Sequence, residues 1–219
     1  MSGDRHAHGA MHHQHQGFQG DASRWTEVLD APERDTWQRP GEVIAAASVA
    51  GGMVVADIGA GTGYFVAHLS RAVGAGGKVL ALDSSPQLVA HMQRRFHEAS
   101  LSNVEAILVS PEDPGLPAGT LDRILIVDMW HHLSERVLYA RKLGQALKAT
   151  GRLIIVDRAP EALEGPPPQL RLPPEEVLRE LRAAGFDASV VPAPLPHQFI
   201  VAGEPSRPPS RSRSGGRPW

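Results

Sequence analysis

Apolar positions along the chain fall into short, nearly continuous runs separated by stretches in which they recur every three or four residues. The runs at 54–58, 78–82, 104–109, 121–127 and 152–157 are rich in Val, Ile and Leu, and turn residues bound each of them. Runs of that length and composition predict buried strands. Between the first two, Phe65, Val66, Leu69, Ala72 and Val73 share one helical face that Gly74-Ala75-Gly76-Gly77 terminates. Further helices are predicted over 86–98, over 134–149 with Val137, Ala140, Gly144 and Leu147 on one stripe, and over 174–184. Segments 186–191 and 197–202, joined by a Pro-rich turn, read as a closing antiparallel pair. Ahead of the first strand, Ser23 caps a predicted helix that Asp30-Ala31-Pro32 stops. A charged stretch holding Trp37 then leads to a second helix over 42–50.

Strands alternating with helices predict right-handed β-α-β units, here five β-α units followed by a hairpin, in a doubly wound α/β fold. At 219 residues and 42% hydrophobic the chain supports one domain, expected over 23–203. The head, 1–22, carries His6, His8, His12, His13 and His15 among Gly, Gln and Ala. The tail, 204–219, is Pro, Ser, Gly and Arg. Neither composition builds a core, so both are expected to be disordered. The histidines could bind a transition metal, but a flexible tract lacks the partners that orient metal ligands, and an expression tag is a second explanation. No metal centre is therefore assigned.

No apolar run is long enough to cross a bilayer, and 1–20 has no apolar signal core, so a cytoplasmic protein with no membrane partner is expected. The net charge of -2 gives no general pull toward nucleic acid, and the arginines of the tail are read as solvated. The absence of cysteine removes disulfides, thiolate metal sites and cysteine nucleophiles. Nothing in the pattern sets an oligomeric state.

The most informative stretch is Asp57-Ile58-Gly59-Ala60-Gly61-Thr62-Gly63-Tyr64. Gly59, Gly61 and Gly63 allow a sharp turn and close approach of a ligand to the start of a helix. A dinucleotide turn wants G-x-G-x-x-G, and here the third glycine comes one residue early, with Tyr64 in its place. The Asp57 carboxylate beside the turn would repel a pyrophosphate and attract an ammonium group. Asp83 ends the second strand at the position from which an acid takes both hydroxyls of a ribose. Its alternative is to cap the helix that follows, although Ser84 and Ser85 can do that as well.

These residues resemble the first two motifs of the class I S-adenosylmethionine (SAM) dependent methyltransferases, D-x-G-x-G-x-G and the ribose-binding acid. The resemblance spans roughly 23–202. It implies a seven-stranded, Rossmann-like sheet with the last strand antiparallel, and SAM as cofactor, its methionine end on Asp57 and the glycine turn and its ribose on Asp83 with Ser84. Relatives carry an adenine-binding acid right after the third strand. Ser110 stands there instead, so the adenine contact falls to Ser110, to Glu112 or Asp113, or to backbone. In this class the segment ahead of the first strand often forms part of a lid, a role Trp25 and Trp37 can fill, or they anchor helices on the domain.

After the fourth strand, Asp128-Met129-Trp130-His131-His132-Leu133 resembles the "HHL" segment of type-11-like enzymes related to the quinone-pathway C-methyltransferases. That makes Asp128, His131 and His132 the catalytic candidates, with Asp128 counted on the cofactor side too. One histidine is expected to face the pocket as a base, with Asp128 orienting it or the acceptor. The other caps or packs the next helix, and either assignment fits the pattern. The segment at 151–157 is similar to the family's G-G-x-L-x-x-x-D. No N-P-P-Y-type tetrad or DNA-reading motif follows the fourth strand, so a small-molecule acceptor is expected. Two rivals remain: an NAD(P)-dependent oxidoreductase, disfavoured by the glycine spacing and Asp57, and a non-catalytic SAM- or metal-binding module.

Overall fold

The computed structural model describes residues 29–162 and 167–206. Two short helices, α1 (Arg34–Gln38) and α2 (Pro40–Ala46), precede β1 (Val54–Ile58). Then follow α3 (Tyr64–Val73), β2 (Lys78–Asp83), α4 (Pro86–Glu98), β3 (Val104–Leu108) and β4 (Leu121–Val127). A 3-10 turn (Trp130–His132) leads to α5 (Arg136–Ala146), β5 (Leu147–Arg158), a second 3-10 turn (Pro168–Leu170), α6 (Pro174–Ala183), β6 (Phe186–Val191) and β7 (Gln198–Pro205). The strands form one sheet in the order β3-β2-β1-β4-β5-β7-β6. β1 to β5 pair in parallel, and β7 inserts between β5 and β6, antiparallel to both, as expected. The chain moves outward in opposite directions from β1 and β4, which are neighbours, so a crevice opens at their carboxyl ends.

Period-two alternation divides the sheet between two apolar layers. Val55, Leu125, Ile154 and Val156 pack with α3 and α4 residues such as Phe65, Val66, Leu69, Met92 and Phe96. Ala56, Ile124, Ile126, Leu153 and Ile155 pack on the opposite face with Tyr139, Leu143, Val177 and Leu181 of α5 and α6. Both faces are covered, which is why these strands read as continuous apolar runs.

Several boundaries differ from expectation. There are four β-α units rather than five, because 109–120 joins β3 to β4 without a helix. Pro111, Pro114 and Pro117 deny that stretch helical hydrogen bonds, and a Ser110–Asp113 bridge with side-chain bonds from Ser110 and Lys142 orders it instead. α5 ends at Ala146 instead of Ala149 because Leu147 pairs with Leu121, so β5 starts five residues early. Its buried stripe is Tyr139, Ala140, Leu143 and Ala146, which turns Val137 and Gly144 aside and brings in the large Tyr139 and Leu143. α1 forms in the charged stretch, and α2 starts at Pro40, a residue preorganised for a first helical turn. Trp25, the His-rich head, the predicted helix over 23–30 except its last two residues, and most of the tail lie outside the described residues. Among the described residues no helix is long and apolar enough to cross a membrane.

The turn after β4 is pinned from below. The Trp130 ring is fully buried, its indole N–H donates to Glu180 Oε2 at 2.8 Å, and Arg136 Nε donates to Glu180 Oε1 at 2.7 Å. Trp130→Phe removes the donor and leaves one carboxylate oxygen less satisfied, which should cost about 1–3 kcal/mol. Urea unfolding should show a lower midpoint with an unchanged m-value. An unchanged midpoint would mean that the indole does not anchor the turn.

Candidate active site

β1 runs into the glycine turn, where Gly59, Gly61 and Gly63 have φ of 71°, 60° and 84°. L side chains avoid this region, so the alternating glycines are a backbone requirement. The N–H groups of Gly59 and Ala60 both donate to Leu82 O, at 2.8 and 3.0 Å, which hangs the turn from β2. Asp83 completes it: the Gly61 N–H donates to Oδ2 and the Ser85 N–H to Oδ1, each at 2.9 Å. Ser85, rather than Asp83 or Ser84, caps α4, its Oγ accepting from the Leu88 N–H. Ser84 is exposed beside it. Each Asp83 oxygen keeps a lone pair for a further donor. Burial raises the Asp83 pKa, against the pull of the backbone N–H groups of Ser85, Gly61 and Ser84.

Asp57 is 3% exposed, and no hydrogen bond or ion pair from the described residues reaches its carboxylate. Burial pushes its pKa up to about 7; the Arg34 charge opposes the shift and Asp83 adds to it. A buried carboxylate with no donor, beside a turn without Cβ atoms, suits a ligand that brings its own cationic N–H groups.

The segment ahead of β1 lies across this turn. Leu29 Cδ1 is 3.5 Å from where a Cβ on Gly61 would stand. Asp30 accepts from Thr62 Oγ1 at 2.9 Å and from Arg95 at 2.6 Å, and Tyr64 donates its phenol proton to Asp35. The Arg158 guanidinium stacks on the Trp37 ring at 4.1 Å, which joins this segment to the end of β5.

On the far side of the crevice, Asp128 follows β4 with φ of 51°, a costly conformation for a non-glycine residue. Its N–H donates to Val156 O, and Gln198 Nε2 donates to its Oδ1 at 2.8 Å. Gln38 Nε2 in turn donates to Gln198 Oε1 at 2.6 Å, which ties α1 to β7 and β4. Burial raises the Asp128 pKa, and Arg158, whose Nε is 3.7 Å away, opposes the rise.

Asp128 does not orient a histidine; Asp157 does. His131 Nδ1 is 2.8 Å from Asp157 Oδ1 and 3.1 Å from Oδ2, and both side chains are 3% exposed. The backbone N–H groups of His131 and Arg158 also donate to this carboxylate. The expected link fails because Asp128 is engaged by Gln198, while Asp157 ends the adjacent strand β5 directly beside the 3-10 turn. Asp157 was detectable: β1, β2 and β5 each reach the carboxyl edge with an aspartate in an otherwise apolar run, Asp57, Asp83 and Asp157. The His132 ring lies 4.1 Å from that of His131 and is more exposed. Burial lowers its pKa, the neighbouring His131 lowers it further, and Asp157 opposes both.

Ser110 and Glu112 sit past the end of β3. Ser110 Oγ donates to Glu112 Oε2 at 2.7 Å, and Lys142 holds the loop through Glu112 O and Asp113. The loop is joined to the site through Val109, whose N–H donates to Asp83 O.

Asp57 has a consequence for pH dependence. Its pKa is raised from 3.8, so the folded state holds a proton that the unfolded chain releases. The stabilisation is complete below about pH 4 and lost as pH rises through about 7. Asp57→Asn removes that loss. In urea unfolding without ligand, the variant should gain on the parent between pH 5 and pH 8. Parallel pH profiles would show that Asp57 is ionised throughout.

With this geometry in place, the chain can be set beside known proteins. The family model described as "Methyltransferase domain" matches residues 55–151. The ubiquinone/menaquinone biosynthesis C-methyltransferase UbiE of Salmonella newport is 28% identical over 129 residues, 58% of this chain and 51% of that protein. The chain thus spans about half the length of the curated relatives it matches. A SAM-dependent methyltransferase structure from Aquifex aeolicus is 30% identical, with a TM-score of 0.78 over 84% of this chain and 98% of that one. The [4+2]-cyclase SpnF, 19% identical with a TM-score of 0.64 over 78% and 81% of the two chains, shares the fold. The near-complete match to the Aquifex aeolicus protein, the methyltransferase model over β1 to β5 and the Asp57 turn together establish that the chain belongs to the class I SAM-dependent methyltransferases.

Proposed function

We propose that this protein transfers the methyl group of SAM to a small-molecule acceptor, with His131, held by Asp157, taking the acceptor's proton. The observation that carries this reading is the buried His131–Asp157 contact on the far wall of the crevice from the glycine turn. A carboxylate at Nδ1 favours the tautomer with its proton on Nδ1, leaving the Nε2 lone pair as the base. Burying such a pair is costly, and a base that must be both oriented and neutral is a use that justifies the cost.

The residues of the turn fit the cofactor. Ionised Asp57 receives the ammonium of the methionine end, the glycines let that end approach the backbone, and the spare lone pairs of Asp83 accept the ribose hydroxyls with Ser84 alongside. Ser110 and Glu112, on the loop joined to Asp83, lie on the adenine side. SAM supplies a methyl on a positive sulfonium, and that charge disappears on transfer, so the protein chiefly positions and desolvates. Asp128 and Arg158 line the acceptor side, and His132 shapes the pocket beside the base. The curated relatives are C-methyltransferases of ubiquinone/menaquinone biosynthesis, which favours an electron-rich ring carbon of a reduced, hydroquinone-type acceptor, which gives up a proton in exchange for the methyl.

An oxidoreductase is disfavoured by Asp57, whose charge would face a pyrophosphate. SAM and S-adenosylhomocysteine should raise the melting temperature, whereas NADH and NADPH should not. Turnover screened over quinoid, hydroxylated and amino acceptors should find a methylated product. His131→Ala and Asp157→Asn should each lower turnover about a hundredfold with cofactor affinity unchanged. Asp57→Ala or Gly61→Val should instead weaken S-adenosylhomocysteine binding about tenfold or more. Near-normal turnover in both His131→Ala and Asp157→Asn would remove the base from this reading. Stabilisation by NADH but not SAM would remove the cofactor.

A further inference from the structure

Arg158 ends β5 with donors that the fold does not use. Consecutive residues of a strand point to opposite sides, and here Asp157 turns to His131 while Arg158 turns to Trp37 and Asp128. The guanidinium lies over the Trp37 ring, 4.1 Å from its centre. Its Nε stands 3.7 Å from Asp128 Oδ1, beyond hydrogen-bond reach, and that oxygen already accepts from Gln198 Nε2. Among the described residues nothing accepts a hydrogen bond from this guanidinium, although the side chain is only 12% exposed. Its nitrogens are still open to solvent, since the sealed, partnerless side-chain nitrogens of the described residues belong to His91 and Arg152. Arg34, by contrast, stacks on the Tyr64 ring at 4.0 Å and donates to Gln38 Oε1 and to the Leu29 carbonyl.

Arg158 is thus a cation held in place by an aromatic ring, with its N–H groups unspent. Desolvating such a group without giving its donors a partner is costly, and a ligand that brings an oxyanion removes that cost. The parallel N–H groups of a guanidinium match a carboxylate or a phenolate. His131 flanks the end of β5 on one side and Arg158 on the other, so a molecule lying at that edge meets the proton acceptor and the cation together. Resting on the reading of this crevice as the acceptor site, we propose that Arg158 binds an oxyanion carried by the acceptor, so that the protein selects a ring bearing an ionised phenol or a carboxylate over its neutral counterpart. Trp37 fixes the guanidinium and covers it, and Asp128 balances its charge until the acceptor arrives. An ionised ring oxygen also enriches the ring carbons beside it, so the same contact prepares a carbon acceptor.

Titration of the full chain, saturated with S-adenosylhomocysteine, with para-nitrobenzoate, para-nitrophenol and the neutral para-nitroanisole tests this. The absorbance of para-nitrophenol reports its own ionisation. The parent protein should bind at least one of the two anions about ten- to a hundredfold more tightly than the anisole, the range for hydrogen bonds to a charged group. The anion that gains more tells a carboxylate acceptor from a phenolate one, and in the phenolate case bound para-nitrophenol should ionise at a lower pH than the free compound. Arg158→Gln should bring the preferred anion near parity with the anisole while S-adenosylhomocysteine affinity stays unchanged, and Arg158→Lys should keep part of the preference. Ligand-free melting curves check folding. If Arg158→Gln melts without cooperativity, Asp128→Asn reads the same contact from the other side: it removes a negative charge beside Arg158 and should tighten the anion but not the anisole. Equal weakening of all three probes in Arg158→Gln would reduce Arg158 to a support for Trp37 and overturn the proposal, as would an anion preference that survives the substitution. S-adenosylhomocysteine binding with no preference for either anion in the parent would overturn this inference alone. Failure of the parent to bind S-adenosylhomocysteine would overturn the cofactor reading and this inference with it.

Discussion

A carboxylate held in the interior with no donor among the described residues is the constraint on which the site depends. Asp57 can stay there only because β1 is locked between β2 and β4 and cannot twist the side chain out to water. The two apolar layers supply the free energy that offsets this burial, and the neighbouring backbone is arranged around it. Gly59 and Ala60 spend their N–H groups on Leu82 O and Gly61 on Asp83, which leaves none of the three for Asp57. A ligand with a cationic end meets a site whose most favourable interaction is still unmade.

Three aspartates at this edge, Asp57, Asp83 and Asp157, are treated in two ways. Asp83 and Asp157 both take backbone N–H donors and act as fixed braces, one for the turn and one for the His131 ring. Asp57 takes none. Opposite properties thus arise from one recurring device, an acid at the carboxyl end of a parallel strand, according to how many amides the following turn directs at it.

What could be read from the chain follows the range of the interactions. Asp57, the glycines and Asp83 were legible because strand, turn and helix start are consecutive and the requirement for positive φ is written in glycine. The seven-stranded sheet with its antiparallel last strand followed from the resemblance to the family, and the strands themselves from their apolar runs. The His131–Asp157 pair spans 26 residues and Gln38–Gln198 spans 160, and no local pattern encodes either. Arg34 was one charge in a charged stretch until α1 placed it over Tyr64. The stripe of α5 was misplaced because Tyr139 counts as polar in a periodicity but is mostly hydrocarbon in a core.

The amide of Gln198 sets an order of events. α1 is among the first described elements to be made, yet part of its seat, Gln198 at the start of β7 and the Pro194 carbonyl that accepts from Arg39, is among the last. On the ribosome, strands β1 to β5 can pair while α1 has its contacts to Tyr64 and Arg158 but still lacks Gln198. The covering segment therefore gains its last two hydrogen bonds, to Gln198 and to the Pro194 carbonyl, only when the final strand enters the sheet.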